Sequence, residues 1–258
     1  MVRPSDLSKV TIQIYRVGEQ LGETYDVIPH ASGVLFERNG SGFLISAAHN
    51  FDQEDIKGLG FLDKKSELTI FQGELSRFST DDPINIPADI AVYRLTKDTI
   101  ADLIEDGYQF ISNNDIIINK AYRLNGRFQL FGYPSSKSKK NRKKLTISRK
   151  PFYFISKLKH VPKLKHYDPV VNLPIDWHYR KLKSSNNRRV HSCKPEGLSG
   201  CGLWYEEGDE LKLIGIMISY NKIHSFLMGT AIDLAMEIIR IKFDSSAPKT
   251  KLIQLKYQ

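Results

Sequence analysis

The chain has 258 residues, 41% of them hydrophobic and 10% aromatic, with 38 Lys or Arg against 29 Asp or Glu and a formal charge of +9. That length suits one α/β domain or a two-lobed β protein with a sizeable core, and the two cysteines, Cys193 and Cys201, exclude a disulfide framework. No run of 18 apolar residues exists and no apolar stretch follows Met1-Val2-Arg3-Pro4-Ser5, so neither a transmembrane helix nor a secretory signal is expected, and the expected location is cytoplasmic and reducing.

In chain order, short runs rich in β-branched and aromatic residues predict strands over 9–16, 33–38, 42–47, 68–71 and 89–95. Asn39-Gly40-Ser41 matches a glycosylation sequon, but between two such runs it reads as an Asn-Gly hairpin turn. Residues 98–105 predict one or two helical turns. A second series of strands is predicted over 108–118, 127–132, 145–148, 152–156, 200–205, 211–219 and 223–229. Residues 230–240 predict the clearest helix, capped by Thr230 with Asp233 three residues on, and with Ile232, Ala235, Ile238 and Ile239 on one face.

Charge is concentrated in one place. Between Lys137 and Arg189 lie 17 Lys or Arg against Asp168 and Asp176, a net +15 that leaves −6 for the rest of the chain. The run from Lys137 to Lys144 holds no acid and reads as an exposed loop or hairpin tip, with Phe152, Tyr153, Phe154, Tyr167, Trp177 and Tyr179 following it. Such a stripe suits an acidic protein or nonspecific nucleic acid, bound through counterion release, or is simply a solvated hairpin. No reader motif for specific nucleic-acid recognition accompanies it. His191, Cys193 and Cys201, with His160, His166 or His178, match no standard zinc spacing, so neither a metal nor another cofactor is expected.

Three segments carry chemistry. Pro195-Glu196-Gly197-Leu198-Ser199-Gly200-Cys201-Gly202-Leu203 sets a serine among glycines, which let the backbone take positive φ and let a substrate carbonyl approach main-chain N–H groups. A hydroxyl on such a turn can attack a carbonyl while the amides of Gly197 and Ser199 cradle the oxyanion. Residues 42–50 form an apolar run ending in Ala47-Ala48-His49, and residues 88–95 place Asp89 at the start of another. Serine needs a base to take its proton, and imidazole needs a carboxylate to fix its tautomer. Singly, each residue also reads as an ordinary core histidine, turn cap or loop hydroxyl.

In that order, His, Asp, Ser, the three segments resemble the trypsin/chymotrypsin-like serine protease family. The resemblance spans about residues 31–240 and implies an all-β fold of two packed six-stranded antiparallel β-barrels with a C-terminal helix. The first barrel (1–118) would carry His49 as general base and Asp89 as its orienting carboxylate. The second (119–245) would carry Ser199 as nucleophile, with the site in the cleft between the barrels and a tail over 246–258. The implied substrate is a polypeptide, with Cys193 at the base of the primary pocket, Glu196 at its rim and Ser219-Tyr220-Asn221 as the edge that pairs with an extended peptide. No Asp stands where trypsin selects Lys or Arg, so an uncharged side chain is expected.

The chain also departs from the secreted members. Leu198 replaces the Asp before the serine that pairs with a new N-terminus, and Cys201 and Gly202 replace a glycine and a proline. Activation by N-terminal insertion is therefore not expected, and Cys201 either crowds the substrate side or tucks into the core. Gly132-Tyr133-Pro134 is similar to bacterial trypsin-like peptidases. The alternative reading is a silent or latent protease-fold binding module that engages a polyanion or acidic partner through the basic segment.

Overall fold

The computed structural model describes residues 1–21, 24–51, 58–79, 88–141, 146–148, 150–159, 168–177 and 195–250. A helical turn, α1 (Leu7–Val10), leads into β1 (Thr11–Leu21), β2 (Thr24–Arg38) and β3 (Ser41–Ser46). Asn39 and Gly40 have φ of 49° and 75°, and Arg38 stands opposite Ser41, the two-residue hairpin that Asn-Gly favours. β4 (Leu59–Leu62), β5 (Leu68–Ile70), β6 (Gly73–Ser79) and β7 (Asp89–Leu95) complete a curled antiparallel sheet in the order β5-β4-β1-β2-β3-β7-β6. It holds seven strands, one more than the six expected. Helix α2 (Lys97–Glu105) follows, its N-terminus capped by the Thr96 hydroxyl, which accepts from the Thr99 amide.

The second half contains β8 (Phe128–Gly132), a small hairpin of β9 (Lys139–Asn141) and β10 (Thr146–Ser148), then β11 (Phe152–Ser156), β12 (Asn172–Asp176), β13 (Gly202–Glu207), β14 (Glu210–Asn221) and β15 (Phe226–Ala231). Six of these form the second antiparallel sheet, in the order β11-β8-β13-β14-β15-β12. Helix α3 (Ile232–Lys242) is the last helix or strand among the described residues. The architecture is two curled half-barrels with a C-terminal helix, a chymotrypsin-like arrangement.

Why the strands read as unbroken apolar runs is now visible. Successive side chains leave opposite faces of a strand. On β2 and β3, Val34, Phe36, Phe43 and Ile45 join a core shared with Trp204, Leu213 and Ile216 of the second sheet and with Ile232, Ala235, Met236 and Ile239 of α3. Between them, Leu35 and Leu44 point the other way, into the core of the first half-barrel with Ile12, Ile14 and Phe61. Both faces are therefore covered. The second half-barrel has its own interior, with Phe128, Leu130, Phe152, Phe154, Trp177 and Leu203.

Several elements differ from expectation. The run over 108–118 makes only isolated bridges, Phe36 to Ile111 and Leu213 to Ile116, so it crosses from the first sheet to the second instead of forming a strand. Its centre is a polar turn, Asn113–Asp115, in which Ser112 and Asp115 take each other's amides and leave few for a ladder. Helix α3 starts two residues later than expected, because Thr230 belongs to β15, and Asp233 accepts from the Asn119 amide at 2.6 Å. Strands β4, β6, β9 and β12 and the first part of β2 had no clear sequence signal, β9 falling in the run read as a loop or hairpin tip. Pro29 sits in β2 opposite a register shift between Ile14 and Tyr15, and Pro174 lies in the edge strand β12, two places where a missing N–H is tolerated.

Candidate active site

β3 ends at Ser46, and the small, fully buried Ala47 and Ala48 let the chain turn at once into a short 3₁₀ segment, Ala48–Phe51. Phe51 anchors that segment in the first core, leaving His49 at the surface. β7 lies beside β3, with Ser46 opposite Ala91, so the first residue of β7, Asp89, falls next to the turn. One oxygen of Asp89 accepts the His49 backbone N–H at 3.0 Å, and the other meets His49 Nδ1. A carboxylate only accepts, so Nδ1 carries the proton and Nε2 is left as the acceptor. The Ser199 hydroxyl stands 2.8 Å from that Nε2 and donates to it. The side chain of Asp89 is 20% exposed and that of His49 46%, so the carboxylate is the more sheltered of the two.

Ser199 lies in a turn bracketed by Gly197 and Gly200, each with φ of 87°. A Cβ on Gly200 would fall 2.0 Å from Ser32 O and 2.0 Å from Ser46 Oγ, and one on Gly197 would fall 2.5 Å from Ser135 N. The glycines are required by close approach as well as by φ. Gly200 donates to Met217 O at 2.7 Å and Met217 donates to Cys201 O at 2.9 Å, which docks the turn onto β14. Leu198 and Cys201 are fully buried in the second core, so Cys201 tucks inward and does not crowd the cleft. Among the described residues, the amides of Gly197 and Ser199 donate to no protein acceptor.

The expected substrate-binding residues are placed unevenly. Glu196 is exposed beside the serine turn. Ser219, Tyr220 and Asn221 lie at the end of β14, paired with Met228, Leu227 and Phe226 of β15. On their other side β13 stops at Gly202, opposite Ile216, so among the described residues no strand takes that edge of β14. Tyr220 packs on Trp177 with ring centroids 6.3 Å apart, and Asn221 Oδ1 accepts from the His224 amide. Cys193 lies outside the described residues, as do 142–145, 149, 160–167 and 178–194 of the basic segment and its flank, including His160, His166, His178 and His191. Among the described residues there is no group of His, Cys, Asp and Glu able to hold a metal ion, and no helix is long and apolar enough to cross a membrane.

Residues without any sequence signal surround the serine turn. Ser32 Oγ donates to Gly197 O at 2.9 Å and accepts from the Tyr133 amide at 3.0 Å. Ser135 donates twice to Glu196 O, from its amide at 2.9 Å and its hydroxyl at 3.1 Å. His30 Nε2 lies 2.9 Å from Asn50 O, and burial holds its imidazole below the usual histidine range. Lone serines within a strand or loop carry no pattern that would have marked them.

No family model matches the chain, and no curated protein matches it. Among solved structures it is similar to the VesB protease of Vibrio cholerae, with a TM-score of 0.54 and 12% identity over 90% of this chain and 63% of that one. A structure concerning coupled folding and binding of the intrinsically disordered Sesbania mosaic virus VPg protein aligns at a TM-score of 0.46, with 12% identity over 90% of this chain and 88% of that one. The likeness to VesB shows the fold, that of chymotrypsin-like proteases. The chain spans about two-thirds or less of the VesB length, 63%.

Proposed function

We propose that the protein is a serine endopeptidase working through Ser199, His49 and Asp89 and an acyl-enzyme intermediate. The observation that carries this reading is the continuous contact Ser199 Oγ–His49 Nε2, His49 Nδ1–Asp89, where the serine turn meets the first half-barrel. Ser199 Oγ attacks the substrate carbonyl carbon as its proton passes to His49 Nε2. Asp89 stabilises the imidazolium that forms, and the unengaged amides of Gly197 and Ser199 take the oxyanion. The imidazolium then gives its proton to the departing amine, and water, activated by the same Nε2, releases the acyl group.

The open edge of β14 at Ser219-Tyr220-Asn221 supports alignment of an extended peptide by main-chain hydrogen bonds. The residue preferred at the cleavage site is uncharged on this reading, since no acid stands where a basic side chain would be matched. The test uses a fluorophosphonate probe on wild type, Ser199→Ala and His49→Ala. Labelling of wild type alone is the expected result. Absence of labelling in wild type sinks the reading in favour of a silent binding module.

A further inference from the structure

The amide of Gly197 belongs to the peptide plane between Glu196 and Gly197, and its orientation depends on what holds the carbonyl of that plane. Two donors of one residue do so, the Ser135 amide at 2.9 Å and the Ser135 hydroxyl at 3.1 Å from Glu196 O. A trans peptide carries its C=O and N–H on opposite sides. Ser135 therefore turns the Gly197 N–H away from itself. The next plane is held at Gly197 O by Ser32 Oγ at 2.9 Å, and the amide of Ser32 donates to Ser199 O at 2.9 Å.

Ser32 is itself fastened on the histidine side. Its carbonyl accepts from Ser46 Oγ at 2.8 Å, and Ser46 Oγ accepts from Asn50 Nδ2 at 2.9 Å, Asn50 being the neighbour of His49. Ser32, Ser46 and Asn50 are all buried. A chain of hydrogen bonds thus runs from the residue next to His49 to both sides of Ser199. It matters because glycine at positive φ is permissive, and an unheld plane beside Gly197 would turn over at little cost. Leu198, fully buried where a charged residue would need a partner, anchors the following residue without an ion pair.

We propose that Ser135 and Ser32 are positioning residues for the oxyanion site, holding the 196–198 planes so that the Gly197 amide is presented in the free protein without a cleaved N-terminus or a bound partner. The inference rests on the protease reading above. The oxyanion exists only once Ser199 has attacked, so loosening its donors slows acylation without weakening ground-state binding.

The full-length protein and its Ser135→Ala, Ser135→Thr and Ser32→Ala variants are compared in two assays, the time course of fluorophosphonate labelling and the acylation burst with p-nitrophenyl acetate. Outright loss of an oxyanion donor costs about 10²–10³-fold, and here the Ser135 amide bond survives, so Ser135→Ala is expected to slow both reactions about tenfold. The half-saturating ester concentration stays unchanged, and Ser135→Thr, which keeps the hydroxyl, recovers the wild-type rate. The His49 Nδ1 proton resonance, read by NMR, remains in place because Asp89 and His49 are untouched. Ser135 is half-buried and belongs to no hydrophobic core, so its substitution decides the matter even if Ser32→Ala fails to fold. An unchanged rate in Ser135→Ala alongside a reactive wild type overturns the positioning role and leaves the protease reading standing. A slowed reaction that coincides with loss of the His49 resonance also overturns it. Wild type inert to both reagents overturns both ideas.

Discussion

A Gly200→Ala substitution places one methyl group where the two half-barrels meet beneath Ser199. Gly200 has φ of 87°, a region in which a Cβ costs an L-residue about 1–2 kcal/mol. The added Cβ would lie 2.0 Å from both Ser32 O and Ser46 Oγ. Neither can retreat, since Ser46 Oγ bonds Ser32 O and receives Asn50 Nδ2 within buried surroundings. The turn must therefore shift by on the order of 1 Å, and overpacking of this kind costs about 1–3 kcal/mol. Together these give about 2–5 kcal/mol, or a Tm roughly 5–20 °C lower for a chain of this size. The shift also strains the 2.7 Å bond from the Gly200 amide to Met217 O, which sets where Ser199 stands. A displacement of that size at a reacting atom costs about 100-fold in rate. Thermal unfolding followed by circular dichroism and fluorophosphonate labelling read the two effects separately. A variant with Tm within about 1 °C of wild type would refute the packing argument. A destabilised variant that labels at the wild-type rate would refute the claim that this turn positions the serine.

Two further substitutions probe the carboxylates. Asp89→Asn can still accept the His49 backbone N–H, but its amide donates to Nδ1 and forces the proton onto Nε2, so labelling of Ser199 is expected to fall on the order of 10⁴-fold with folding retained; a rate near wild type would remove Asp89 from the proposed mechanism. Burial pushes the Asp233 carboxyl up to about 6, against the opposing hydrogen bonds from the Asn119 amide and its own. The folded state thus holds this proton more tightly than the unfolded chain, and the stability it contributes is complete below the usual carboxylate range and lost as pH rises through about 6. Asp233→Asn keeps an acceptor for Asn119 and avoids the buried charge, so urea unfolding should show it more stable than wild type at pH 7, by at most about 3 kcal/mol, with the difference gone near pH 4. An equal difference at both pH values would contradict this account.

The residues that meet at the proposed site stand on local patterns that were legible because local sequence constrains local backbone. Continuous apolar runs over 33–38, 42–47 and 89–95 specify strands covered on both faces, and Asn39-Gly40 specifies the hairpin between two of them. Glycines around Ser199 announce a positive-φ turn, and small residues before His49 announce a tight exit from a strand. Elements whose sequences mix polar residues and proline, such as β12 and the first part of β2, carried no such signal, because their stability comes from neighbours. The 108–118 run misled for the converse reason. Its apolar residues satisfy two different sheets while Ser112 and Asp115 take the backbone between them.

The sequence by itself determined which residue types stand at strand ends and turns, since pleat periodicity, glycine conformation and turn chemistry act over a few residues. Only the tertiary structure decided that Ser199 approaches His49 across 150 residues of chain, that Cys201 faces the core, and that Ser32 and Ser135 hold the serine turn. Those outcomes depend on how two sheets pack against each other and on which buried amides and carbonyls then need partners. Pairings of that kind between distant residues leave no local pattern in a single chain.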